Sequence, residues 1–510
     1  MVNKVILTLD SVGVNSFLLS AQTSDFNKKE IAQFYKRRNY QFAWLSEDGF
    51  NEVAINFYSQ YEAYLTDFKD SSAFNLKLKT LANQLLDDSE TFLKSNTDVV
   101  LLELLFTQLY FEYAPKVNSG KFKNPQNLHW YIPQKHQNYQ LLLDSLVASV
   151  QNKDILEPEN SYYVALKVQL KIYRQIEIKG AWPTINSFPP KGFKVFDLDS
   201  CIKNTKKSLY ILGDFKSIDT SFVFTQELSL AITKFQGRMG LAEDGKLGAA
   251  TVNAINIPLK MRILQIMLNL ERLRWLPAKI EPNFVLINIP AFSIYVFENQ
   301  KLAWSSKVIV GEAMHQTNIF KGAINNVVLN PYWVVPVSII KNEMVQKAQI
   351  DPQYFKRNHL EILAGDKIIS PSKINWVHYK KNYTIRQKPG NDNALGRYKF
   401  MTYNSFSIYL HDTPVKELFA NNQRAFSHGC IRLAEPQKLA LYLLRNNKYW
   451  NEARIQKMIN TNKETYIPLN YSLPVYIVYF TAWVNNEGQL NFRNDIYGRD
   501  KKLGKEIFGN

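Results

Sequence analysis

The residues best suited to covalent chemistry lie close together, in Arg424-Ala425-Phe426-Ser427-His428-Gly429-Cys430-Ile431-Arg432-Leu433 and, just before it, His411-Asp412-Thr413-Pro414. Cys430 is one of two cysteines in 510 residues, and His411 and His428 are two of seven histidines. A thiolate is the nucleophile, yet a free thiol with a pKa of ~8.5 is scarcely ionised at neutral pH. Catalysis by Cys430 therefore needs an imidazole to take its proton. His411 follows a predicted strand, Ser405 to Leu410, and stands at its end, where a loop can bring it to the thiol. His428 is two residues from Cys430, so its ring is less free to face the sulfur. Gly429 lets the backbone turn sharply, and N–H groups around Gly429 and Cys430 are then candidates for an oxyanion hole. Spacing leaves two readings open, a nucleophile with its base or a packing cysteine among structural histidines. Two histidines, a glycine, and Arg424 and Arg432 on either side fit the packing role poorly.

The elements that must position these residues change in character along the chain. Residues from about 7 to 200 read as mostly helical, with apolar residues at three- and four-residue spacing in Val99–Tyr113 and Ser161–Ile178. Asn118 to Pro133 reads as a connecting loop, and the prolines of Pro183–Gly192 place a domain edge nearby. Phe222 to Asn256 is compact and helical, broken by Gly240, Gly245 and Gly248, and Leu259 to Trp275 is a further amphipathic helix. The period then shortens. Phe284–Ile289, Ser293–Phe297, Ser306–Val310 and Val327–Leu329 read as strands, and Ser405–Leu410 continues the series. A mostly β domain thus runs from about 280 to 490, with a more helical insertion between Pro336 and Ile385. The fold class is multidomain α+β.

Bulk properties set the outer limits. The length implies two to four domains. A hydrophobic fraction of 46% with 21% charged residues suits a folded globular chain. The formal charge of +17 favours an anionic partner or surface, but the basic residues are scattered and no nucleic-acid motif is present. Two cysteines do not make a disulfide framework, and without a His/Cys cluster at ligand spacing a structural zinc site is not expected. No apolar stretch reaches the roughly 18 residues that span a bilayer. Lys4 and the run Val5–Leu9, interrupted by Asp10, make a poor signal peptide.

The run from His411 to Leu433 resembles the signature of the YkuD-type L,D-transpeptidase catalytic domain, a His followed by Ser-His-Gly-Cys and an Arg two residues on. The resemblance extends to Asn330-Pro331-Tyr332-Trp333, Pro336, Ser338-Ile339, Gln387-Lys388-Pro389-Gly390, Asn393-Ala394-Leu395-Gly396 and Lys399-Phe400. These segments are similar to the larger, Gram-negative-type members, which carry a lid within the catalytic domain. Ala231 to Asn256 resembles a peptidoglycan-binding helical module, and Phe34-Tyr35, Arg38-Asn39-Tyr40 and Ala43-Trp44 resemble the start of the family's helical scaffold. The implied division is a scaffold at 1–200, the helical module at 201–258, a linking helix at 259–280, the catalytic domain at 281–490 with its lid at about 336–390, and a C-terminal tail at 491–510.

The resemblance implies roles. Cys430 attacks the carbonyl of the third stem residue of peptidoglycan, diaminopimelate or an equivalent, and expels D-alanine. A neighbouring stem's side-chain amine then resolves the thioester into a 3→3 crosslink. His411 is the base, oriented by the backbone carbonyl of Asp412, while Ser427, His428 and Gly429 take substrate-facing and oxyanion roles. Arg432 either binds a stem carboxylate or makes a structural salt bridge, and Arg424 is structural. Trp333, Tyr332 and Tyr403 line the groove. No metal or organic cofactor is needed, and Cys201 packs as a small apolar residue with both thiols free. The partners implied are donor and acceptor stem peptides, with glycan strands held by the helical module. The implied compartment is the periplasm, with the export segment absent from this chain. Rival readings keep the site but let water or another amine resolve the thioester, giving an L,D-carboxypeptidase or an amine exchanger. Others discard the chemistry for a non-catalytic peptidoglycan binder, or invoke a papain-like protease, whose signature is missing.

Overall fold

The computed structural model describes residues 7–509, except 71, 73, 135–136, 149–155, 159, 181, 187, 189–191, 218, 278, 352 and 375–382. Lys4 to Ile6, and part of Pro183–Gly192, therefore lie outside the described residues. The architecture is a helical N-terminal region followed by a β-rich domain, with 46% helix and 19% strand.

The helical region is organised on α1, Asn96–Asn118, whose first turn is capped by the Ser95 hydroxyl accepting from the Asp98 N–H. Leu102, Phe106 and Tyr110 are among the residues buried along it, as expected of a helix that is apolar on most sides. Its Glu103 is wholly buried and accepts N–H bonds from Ala43 at 2.6 Å, Trp44 at 3.0 Å and Leu45 at 3.2 Å, and the Tyr35 hydroxyl at 2.9 Å. Burial lifts its carboxyl to about 7 against those donors. The segment from Phe34 to Trp44 is thus pinned to α1 by one side chain.

Helix α2, Ser161–Lys179, packs against the long helix that links the two halves of the molecule. Between them in sequence lie α3 (Ser200–Ile211), α4 (Gln226–Met239) and α5 (Ala249–Ile255), the compact helical segment expected from the sequence. Gln236 on α4 ties this segment together, donating to Asp244, Lys246 O and Thr251 and accepting from the Gly245 N–H. The linking helix α6, Leu259–Arg274, is buried over most of its length. Its Arg274 bonds Glu271, Val117 O and the Tyr163 hydroxyl, which fastens α6 to both α1 and α2.

The β domain is a nearly closed sheet. Its strands are β1 (Phe284–Asn288), β2 (Ser293–Glu298), β3 (Lys301–Gly311) and β4 (Phe320–Leu329), then β5 to β8 of an insertion, then β9 (Tyr398–Thr402), β10 (Leu410–His411), β11 (Ala425–Ser427), β12 (Ile431–Leu433) and β13 (Thr465–Val478). Neighbours follow the order β11-β3-β12-β10-β9-β4-β13-β1-β2, and β2 pairs back onto β3. The ring closes through that last pairing, so its interior fills with Val285, Ile287, Val310, Val327, Phe400, Leu410 and Ile431.

Two expectations need correction and a third is extended. The insertion carries the expected helices, Val337–Ile339, Ile340–Met344, Val345–Ile350 and Tyr354–Arg357, and adds to them an antiparallel sheet of β5 (Trp333–Val334), β6 (Leu360–Ala364), β7 (Lys367–Ile369) and β8 (Thr384–Gln387) in the order β5-β8-β6-β7. Its small separate core holds Val335, Ile340, Met344, Phe355, Ile362 and Ile385. Ser405–Leu410 is not a strand: only Leu410 joins β10, because Asn404 accepts from the Phe406 and Ile408 N–H groups and donates to Thr402 and Ile408 carbonyls, which curls the chain. The segment 491–510 is not a tail. It contains α7, Arg499–Phe508, fixed to α6 by an Arg272–Asp500 ion pair.

Candidate active site

The site is built on β9, β10 and β12. Strand β10 runs antiparallel to β9, with Lys399 opposite His411, and parallel to β12, with His411 opposite Arg432. The register continues one step back, where the Ile431 N–H donates to Tyr409 O at 3.2 Å. Alternation then sorts the side chains. Leu410, Ile431 and Leu433 point into the barrel and are buried, while Lys399, Tyr409, His411, Cys430 and Arg432 share the opposite face.

His411 is 5% exposed, and its Nδ1 lies 2.5 Å from the backbone oxygen of Asp412. A carbonyl only accepts, so Nδ1 carries the proton and Nε2 is left with its lone pair. Burial, joined by the nearby cations of Arg432, Lys399 and Lys416, depresses the imidazole to about 3. The ring is neutral throughout the physiological range, with Nε2 unprotonated. Asp412 is itself clamped: its carboxylate accepts the Arg397 and Thr413 N–H groups and pairs with Lys416. The carbonyl that orients the imidazole is therefore fixed.

Cys430 is half-buried in the turn before β12. Its sulfur lies 3.8 Å from Ser407 O, and the Tyr409 hydroxyl hydrogen-bonds to it. Burial raises the thiol, while the Tyr409 hydrogen bonds and the charges of Lys399 and Arg432 pull it down. Thiol and imidazole are therefore both uncharged at neutral pH. The Tyr409 ring lies 4.2 Å from the Lys399 ammonium and 5.7 Å from the His411 ring, which packs all three into one cluster.

The turn is shaped from within. The Ser427 hydroxyl accepts from the Gly429 N–H at 3.1 Å and donates to Cys430 O at 2.5 Å, and Ser427 is 2% exposed. These bonds hold the turn, and the Ser427 side chain is buried within it. Since the Gly429 N–H is spent on Ser427, the oxyanion role expected of Gly429 is replaced by a conformational one, at a φ of 111° that suits glycine. His428 is exposed, and its ring lies 4.8 Å from that of His315.

Arg432 is held on the same face, beside Cys430 and His411, with its Nε buried and unpartnered among the described residues. Arg424 is structural: it donates to the carbonyls of Val308, Asn421 and Phe292. Tyr403 is exposed at the start of the curled segment. Trp333 packs against the insertion's own core, and Tyr332 lies under the Arg386 guanidinium at 4.1 Å while its N–H donates to Glu464. Sequence reading missed Tyr409, Lys399 and Ser407. Alternation back from His411 along the expected strand Ser405–Leu410 points to Tyr409 on the same face. The N-terminal region also reaches the site: the Tyr131 ring packs, tilted by 43°, at 4.7 Å from that of Phe406, next to Ser407, while the Tyr131 N–H bonds Ile319 O.

Residues 282–457 match the L,D-transpeptidase catalytic domain (YkuD), 29–170 a scaffold domain, and 201–255 a "putative peptidoglycan binding domain". A "Putative L,D-transpeptidase" of Haemophilus influenzae is 35% identical over 239 residues, 46% of this chain and 48% of that protein, so the match spans about half of the curated relative. Among solved structures, the L,D-transpeptidase (Yku) of Stackebrandtia nassauensis is 15% identical, with 58% of this chain and 97% of that chain covered and a TM-score of 0.23. The L,D-transpeptidase fragment of Xylanimonas cellulosilytica is 10% identical, with 57% and 100% covered and a TM-score of 0.19.

Proposed function

Starting from a chain that carries a YkuD-type L,D-transpeptidase catalytic domain beside scaffold and peptidoglycan-binding domains, we propose that it forms 3→3 crosslinks between peptidoglycan stem peptides through a thioester on Cys430. The observation that carries this reading is the His411 imidazole, locked by Asp412 O with Nε2 as its basic nitrogen, on the same sheet face as Cys430.

As the sulfur attacks the carbonyl of the third stem residue, His411 Nε2 takes the thiol proton. The negative oxygen that develops is met by the Cys430 N–H and the cationic field of Lys399 and Arg432. The imidazolium, unfavourable in its buried setting, returns the proton to the departing D-alanine amine as the C–N bond breaks. The acceptor stem's amine then attacks the thioester, gives its proton to His411, and restores the thiol. Splitting amide exchange into two acyl transfers avoids direct attack of an amine on an amide. Arg432 receives a stem carboxylate, the 201–258 module holds glycan strands, and the compartment is the periplasm.

Two measurements test the reading. Incubation with a carbapenem, which acylates this family, should add one adduct mass to the intact protein, at Cys430. Murein incubated with the enzyme and then digested should yield 3→3 dimers. Trimmed tripeptides alone would make it an L,D-carboxypeptidase, and an unmodified Cys430 would make it a binding protein.

A further inference from the structure

Outside the thiol–imidazole pair, one cluster of ligand-bearing side chains stands at the mouth of the same turn. Strand β3 ends at Gly311, and the chain then doubles back so tightly that a Cβ on Gly311 would meet His315 O at 2.0 Å. The returning loop is fastened to the Cys430 turn at two points. The Glu312 N–H donates to Ser427 O at 2.9 Å, and the Thr317 hydroxyl donates to Gly429 O at 2.9 Å. These bonds bring His315 beside His428, with ring centroids 4.8 Å apart and planes at 42°. Glu312 Oε1 lies 2.8 Å from His315 Nδ1, and one ligand atom from each of Glu312, His315 and His428 falls within 4.8 Å of the others.

We propose that Glu312, His315 and His428 form a site for a divalent transition-metal ion, zinc being the representative, which ties the 312–316 loop to the turn carrying Cys430. Two imidazoles and one carboxylate suit zinc, nickel or copper(II), whereas magnesium and calcium take oxygen ligands. Zinc ligands at ~2.0–2.2 Å stand about 3.3 Å apart around a tetrahedral ion. The side chains of His315 and Glu312 are 42% and 46% exposed, so both have room to turn toward an ion. Water fills the fourth position. With the ion bound, the loop can no longer move away from the turn, and access to the sulfur two residues beyond His428 narrows.

The inference does not depend on crosslinking activity, and its test separates the two. Zinc chloride titrated into the full-length chain by calorimetry should bind one ion per chain, in the wild type and in Cys430→Ala alike. His315→Ala and Glu312→Gln should each weaken binding by on the order of 100-fold, at least the upper range for losing an outer-shell partner. Glu312→Gln keeps the side-chain shape and so guards against misfolding as the cause, with melting curves of both metal-free variants as the check. Zinc should also slow iodoacetamide alkylation of Cys430 in the wild type and leave the rate unchanged in His315→Ala. Absence of stoichiometric binding overturns the site, as does binding that survives His315→Ala. Binding lost in Cys430→Ala overturns it too, by assigning the ion to the thiol.

Discussion

The molecule offers the same side chain in two settings. Cys201 lies in α3, 5% exposed, with Asp199 at the start of its helix accepting its N–H. Burial pushes its thiol up to about 12, and the neighbouring Asp199 carboxylate adds to the rise. Cys430 is also raised by burial, but every neighbour identified around it acts in the opposite sense: the Tyr409 hydrogen bonds and the charges of Lys399 and Arg432. One cysteine is surrounded by groups that resist ionisation, the other by groups prepared to receive a negative charge when it appears. The two thiols differ in their neighbours, since burial raises both.

The contrast can be broken experimentally, and the largest effect should come from Cys430 itself. Cys430→Ala should abolish carbapenem adducts and crosslinks, and remove labelling of the folded protein by iodoacetamide at neutral pH. Label appearing on Cys201 at a comparable rate would erase the distinction. Next, His411→Ala should lower the acylation rate by ~10²-fold or more, the range of a lost general base, with the fold unchanged by circular dichroism. Tyr409→Phe removes a hydrogen bond to the sulfur. The pH profile of Cys430 alkylation should then move upward by about one pK unit, the worth of one charge-assisted hydrogen bond.

A pH experiment sharpens the point further. The folded pKa of His411 is about 3, below its usual 6.5. The neutral ring therefore contributes stability that is complete above 6.5 and is lost as pH falls from 6.5 towards 3. Acylation by a carbapenem should hold steady from pH 7 to 5, whereas a midpoint near 6.5 would mean a solvated ring. His411→Gln should melt with a weaker dependence on pH across that same interval. The smallest effect belongs to Cys201→Ser, expected to cost ~1–3 kcal/mol for burying a hydroxyl and to leave the carbapenem adduct intact by mass.

Much of this was legible in the order of residues. Cys430, His411 and Asp412 declare themselves because a short spacing of rare reactive side chains is a local signal, and the structure brings His411 and Cys430 to one face of adjoining strands. The helical module and linking helix were legible from their apolar spacing. The curl at 404–409 was not, because its apolar residues imitate a strand and one asparagine side chain overrides them. The insertion's sheet was missed because its strands are short and half-exposed, which leaves little alternation to read. Glu312 and His315 escaped notice for a different reason. They stand more than a hundred positions before His428 in the chain, and only the pairing of β3 with β11 makes them neighbours.

The docked C-terminal helix gives the chain an internal mechanical linkage. Arg272 of α6 grips Asp500, while the adjoining Arg499 holds Gln316 and Thr317, and the Tyr497 hydroxyl donates to Gly311 O. The same loop reaches Gly429, whose carbonyl accepts from the Thr317 hydroxyl, so a continuous series of contacts joins α6, the C-terminal helix and the turn that carries Cys430.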